Sequence, residues 1–226
     1  MISEHELKTH RIAIPTYTLG EELISSISHG VGAGLGITAL VLCLVKSARA
    51  HSGWGIASSI VYGFTVTLLY LMSCLYHALK VNRAKRVFRV MDHCTIFLLI
   101  AGTYTPYTLV AMRPTHPALA WTVFGVIWAV AITGVTLNAV NLRKFSKVSV
   151  ACYLIMGWMI VLAWNPMHEV IAPAGISLLL WGGIVYSVGA ILYGIGSKKK
   201  YFHSIFHFFV LGGTVLHFLS IYLYVL

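Results

Sequence analysis

Seven long runs of apolar residues, separated by short polar stretches, make up most of this 226-residue chain. They fall at approximately 23–45, 54–77, 92–112, 118–141, 148–165, 172–196 and 202–225, the fifth being the shortest. A hydrocarbon layer about 30 Å thick needs roughly 20 apolar residues of helix to cross it, and its interior offers no water to satisfy an irregular backbone. The pattern therefore predicts an all-α integral membrane bundle of seven transmembrane helices. Connections are short, with no low-complexity linker and no internal repeat of the kind that marks inverted-repeat transporters, so residues 1–226 read as one domain. The polar segment 1–20 has no apolar stretch followed by a small-residue cleavage site, and the first span is expected to stay in the mature protein.

Composition agrees: 58% apolar residues, 10% charged residues and a mean hydropathy of +0.84 exclude an ordinary soluble domain. The net charge of +10 raises the question of nucleic acid, but the placement of the basic residues answers it. If successive spans alternate in direction, every Lys and Arg except Lys46, Arg49 and Arg113 falls on one side of the membrane. The positive-inside rule then puts the N-terminus in the cytoplasm and the C-terminus outside. The basic clusters at 80–89, 143–147 and 198–200 are expected to set topology and touch anionic lipid, with no nucleic-acid partner. Cys43, Cys74, Cys94 and Cys152 lie in or at the ends of spans and read as packing residues rather than a disulfide framework.

Sorting the polar residues of the spans by depth changes the picture further. His77 ends the second span, Asp92 and His93 open the third, His203 and His207 open the seventh, and His29 lies two turns into the first. All sit toward the expected cytoplasmic face. Ionisable groups inside a membrane are costly enough to signal function. His203 and His207, at i and i+4, share one helix face. Three protein ligands with a fourth position left open is the usual arrangement of catalytic zinc, and His77, His203 and His207 supply three. Asp92 adds a carboxylate, and Ser73 stands one turn before His77. Proton relay and hydrogen bonding between helices are the alternatives for the histidine pair.

The remaining polar residues have plainer readings. Glu21 and Glu22 suit the positive end of the first helix dipole, with support of the metal ligands as the alternative. His29, between Ser28 and Gly30, reads as helix packing or support around the ligands. His217 lies ten residues past His207, about 15 Å along a helix, and reads as a histidine bonded between helices, with a polar path or substrate cavity as the alternative. His93 is expected to face the interface. Pro106, within Gly-Thr-Tyr-Thr-Pro at 102–106, is expected to kink or loosen the third span. Gly182, Gly183, Gly189, Gly194 and Gly196 are expected to mark close helix packing.

Four motifs follow one another in order. They are Glu21-Glu22 with Ser25 and Ser28-His29-Gly30, Ser73-Cys74-Leu75-Tyr76-His77, Met91-Asp92-His93, and His203-Ser204-Ile205-Phe206-His207. With them the chain resembles the bacterial haemolysin III family over essentially its whole length. That family is similar to the progestin and adiponectin receptors (PAQR) and more distantly to alkaline ceramidases, within the wider CREST superfamily of membrane hydrolases. The resemblance implies zinc held by His77, His203 and His207, Asp92 acting on the attacking water, Ser73 at the family's membrane-facing serine, and His217 at a recurrent family histidine. It implies a zinc-dependent hydrolase of lipid-like substrates, amides if the ceramidase likeness carries over. Membrane lipids would be the partners, the bacterial inner membrane the location, and membrane lipid or energetic homeostasis the role. A membrane-state sensor or receptor-like regulator with structural zinc is the alternative. A cytolysin or pore former and an ion transporter stand behind it.

Overall fold

The computed structural model describes residues 14–196 and 199–226, and among them every regular element is helical. Helix α1, Leu19–Arg49, starts at a capping box in which Thr18 and Glu21 bond each other's backbone N–H. Ser52 and Asn82 cap α2, Gly53–Ala78, and α3, Arg83–Pro106, by accepting N–H groups of the first turn. The long helical stretch Pro117–Trp158 is broken at Asn141, whose φ of −156° and ψ of 85° leave the helical region. We therefore divide it into α4 (117–140) and α5 (142–158). Asn141 Oδ1 accepts the Lys144 N–H at 3.0 Å and so caps α5. Beyond Trp158, α5 tightens through Met159–Ala163 and ends in the short helix Trp164–Val170. The whole run from Pro117 to Val170 has 54 residues and would measure about 80 Å if straight, far more than one bilayer, so it supplies two spans. Helices α6, Pro173–Gly196, and α7, Phe202–Tyr224, complete seven.

The observed helices outrun the apolar pattern at the basic stretches before the third and fifth spans. Helix α3 begins at Arg83 rather than at 92, and α5 begins directly after Asn141 instead of after a loop at 142–147. Hydropathy marks the part of a helix that meets hydrocarbon, and these basic turns project beyond it. Pro106 does not break α3. The chain continues from it into a wide π turn, Tyr107–Met112, where the Arg113 N–H donates to Thr108 O at 2.9 Å. Thr105 Oγ1 donates to Ala101 O (2.9 Å) and Thr108 Oγ1 to Tyr104 O (3.0 Å), so hydroxyls add bonds on both sides of the proline.

Glycines set how closely the helices approach. A Cβ at Gly63 would lie 2.5 Å from Leu40 Cβ and 2.7 Å from Leu40 Cα, so α1 and α2 meet nearly backbone to backbone. At Gly182 the His217 ring fills the space, and Gly189 and Gly196 receive Phe209 and Phe202, joining α6 to α7. Gly194 faces open space, so it is not one of the packing glycines expected from the sequence. Helix α7 also meets α1, where Ser25 and Ser204 hydroxyls lie 3.1 Å apart. The order of neighbours runs α6, α7, α1, α2, α3, α4. Helix α5 returns across α3: Tyr104 OH donates to Met156 O and accepts the Ile160 N–H, both at 2.8 Å, at the point where α5 changes its winding. Between α3, α5, α6 and α7 lies a cavity of about 540 Å³.

Candidate metal centre

His77 is on the last turn of α2, and His203 and His207 are on the first turns of α7. The His203 Nε2 is 3.1 Å from His77 Nε2 and 3.1 Å from His207 Nε2, and the three nitrogens lie within 4.8 Å of one another. His77 and His207 are buried and His203 is half-buried. His77 Nδ1 lies 2.7 Å from Glu22 Oε2, which fixes it as the donor and leaves its Nε2 with a lone pair toward the other two rings. Convergence of imidazole nitrogens at this distance suits a cation better than a hydrogen bond, since a neutral ring brings at most one proton to two such contacts. These three side chains are a donor set that fits a metal ion, and a carboxylate behind a ligating histidine is the usual supporting partner.

The adjacent glutamates of α1 divide their work. Glu21 is the cap: its carboxylate accepts from Thr18 N (2.8 Å), Thr18 Oγ1 (2.8 Å) and Tyr201 N (2.7 Å). Glu22 turns inward to His77, and its second oxygen meets Lys85 Nζ at 2.6 Å. Lys85 is buried, although in the sequence it is one of a basic cluster assigned to topology. Its position was nonetheless readable: it stands two turns before Asp92 on α3 and so shares the helix face of Asp92.

Asp92 and Ser73 line the cavity together with His203 and His207. Asp92 Oδ2 is 3.7 Å from His93 Nδ1, which donates to Arg89 O at 2.9 Å. His93 lines the same cavity, contrary to the expectation that it faces the interface. Ser73 is buried one turn before His77. His29 stacks on His207 with ring centroids 3.7 Å apart and meets Tyr70 edge-on, and neither of its ring nitrogens has a protein partner. His217 is held elsewhere, with Nε2 3.0 Å from Leu179 O, and it clasps α6 to α7 further along the cavity. Tyr17, just before α1, stacks on His203 at 4.8 Å. Burial raises its phenol well above the ordinary range, so it stays neutral there. The four cysteines are free and none belongs to the histidine group: Cys74 lies by Ser26 and Cys94 by Val135 O.

The profile of the family described as haemolysin-III related matches residues 17–218, which takes in α1 through most of α7 and every residue of the centre. The chain belongs to the haemolysin III family. It is 40% identical over 218 residues to Hemolysin-3 of Bacillus cereus, covering 96% of this chain and 98% of that protein. It is 38% identical to the Hemolysin-3 homolog of Bacillus subtilis over 92% of this chain and 96% of the relative. The human monocyte to macrophage differentiation factor is 25% identical over 197 residues, 82% of this chain and 79% of its own. Apolar helices and bacterial relatives together make this haemolysin III member a multi-pass bacterial membrane protein.

Proposed function

We propose that this protein is a zinc-dependent integral membrane hydrolase of lipid-like substrates, with the metal held by His77, His203 and His207. The observation that carries the reading is the meeting of three imidazole nitrogens, with His203 and His207 on the wall of a cavity whose other polar residues include Asp92 and Ser73 and whose walls are mostly apolar. Bound zinc supplies a Lewis acid and lowers the pKa of water toward neutrality. Glu22 orients His77 by accepting its Nδ1 proton. Asp92 accepts the proton of the attacking water and returns it to the leaving group, and Ser73 hydrogen-bonds the substrate's polar head. At about 540 Å³ the cavity lies within the roughly 300–1,000 Å³ typical of ligand sites, and residues such as Leu99, Ile100, Leu180 and Val210 offer an acyl chain an apolar wall. An amide is the favoured bond, the cytoplasmic leaflet the place of reaction, and membrane lipid or energetic homeostasis the role.

The test is hydrolysis of a panel of N-acyl lipid amides and esters by purified, zinc-loaded protein in lipid nanodiscs. Wild type turns over at least one lipid class, and Asp92→Asn retains the metal while losing about 10²–10⁴ in rate. Stoichiometric metal without turnover on any lipid, together with an Asp92→Asn protein that keeps its physiological effect, would replace the hydrolase with a sensor in which zinc is structural. The name Hemolysin-3 of the Bacillus relatives motivates a second reading, membrane lysis. Dye release from liposomes on addition of purified protein would support it.

A further inference from the structure

Behind the metal ligands, a single ammonium group gathers three helices. Lys85 is 2% exposed, and its Nζ donates to Glu22 Oε1 at 2.6 Å and to Leu79 O at 2.9 Å, while lying 5.0 Å from the centre of the Tyr76 ring. Glu22 belongs to α1, Leu79 is the residue that ends α2, and Lys85 itself sits on the first turn of α3. The other oxygen of Glu22 is the one on His77 Nδ1. The result is a continuous line from Lys85 Nζ through Glu22 to His77, whose Nε2 meets the other two rings.

We propose that Lys85 is a positioning residue for the metal centre: it holds Glu22 in the rotamer that orients His77, and so sets metal affinity without touching the metal. The inference rests on the reading of His77, His203 and His207 as ligands. Burying a lysine is costly unless its charge is paired and its protons are bonded, and here a carboxylate, a carbonyl and an aromatic face meet it. A lysine kept only for topology would lie in water, as the exposed Lys80 does two residues before the Asn82 cap of α3. The carboxylate needs both its oxygens held to present one of them steadily, because a glutamate tied at one end swings about its last torsion. Partners behind ligating histidines are worth about 10–100-fold in metal affinity, which is the effect expected to pass through Glu22 to Lys85.

Leu79 complicates any single substitution, since loss of its bond can loosen the end of α2 for purely structural reasons. The experiment is therefore a double-mutant cycle on the full-length protein in detergent micelles. Zinc affinity is measured by competition with a chromophoric chelator for wild type, Lys85→Met, Glu22→Gln and the double variant. Lys85→Met is expected to weaken zinc binding about tenfold, and Glu22→Gln about 10–100-fold. In the Glu22→Gln background, Lys85→Met is expected to change affinity by less than about twofold, because its route to the metal is already cut. If Lys85→Met fails to fold, Lys85→Gln takes its place in the same cycle. A loss in the single Lys85 variant with equal affinities for Glu22→Gln and the double variant supports the inference, whereas a further large loss in the double variant shows that Lys85 acts through α2 and overturns it. Zinc binding by Lys85→Met at wild-type strength also overturns it. Absence of zinc binding in wild type would instead defeat the metal centre itself.

Discussion

The two walls of the bundle are built differently. Along α1 and α2 the backbones touch: Gly63 rests on the Leu40 Cα and Gly36 on the Thr67 backbone, so neither helix can move without the other. Along α5 and α6 the contact is looser, with a hydrogen bond from Trp158 Nε1 to Ser187 Oγ at 3.0 Å, and glycines such as Gly157 and Gly194 that face nothing within 4 Å. His77, Glu22 and His29 stand on the tight wall, while much of the cavity is lined by the loose one. Of the histidine group, His77 and its partner Glu22 stand where packing leaves little freedom, His203 and His207 come from α7, and the space for a ligand lies where packing leaves more.

Substituting the tight wall tests this first. Gly63→Ala forces Leu40 and its backbone aside and is expected to destabilise the protein by about 1–3 kcal/mol, seen as a lower unfolding midpoint in detergent. A midpoint equal to wild type would show that the two helices are free to part. Enlarging the loose wall acts on function instead. Ala190 lines the cavity, and Ala190→Phe is expected to cut lipid turnover about tenfold or more with zinc content unchanged. Loss of zinc from that variant would mean that the cavity and the centre are not separable. The smallest effect belongs to Gly194→Ala, which meets open space and should leave the stability unchanged or raise it by up to about 1 kcal/mol, read from the unfolding curve in detergent.

Much of the fold and of the histidine centre was readable from residue order and some of it was not. All seven spans were visible because each apolar run matches a bilayer, and the common depth of His77, Asp92, His203 and His207 follows from counting residues along alternating helices. The end of the fourth span at 141 was read from the pattern, but the start of α3 at Arg83 and the helical state of 142–147 were hidden because hydropathy follows lipid contact, not hydrogen bonding. Loosening at Pro106 was expected from the sequence, but its form, a π turn on the C-terminal side of the proline, was not. Glu21 and Glu22 are neighbours in sequence, and only the rotation of α1 against α2 and α7 sends one to a cap and the other to His77. Lys85 was concealed by its company, since Arg83, Lys85, Arg86 and Arg89 look alike as a topology signal until the face shared with Asp92 is considered. The N-terminal segment through Ala13, including Lys8 and Arg11 of the charge argument, lies outside the described residues.

The proposed metal centre rests on three histidines drawn from two helices. The most direct measurement is the metal content of purified, chelator-washed protein by mass spectrometry, for wild type and for the His203→Ala, His207→Ala double variant, both confirmed as folded. Wild type is expected to hold close to one zinc per chain and the variant none. Zinc-replete, folded wild type that retains no metal, or a variant that retains as much as wild type, would contradict the proposed centre.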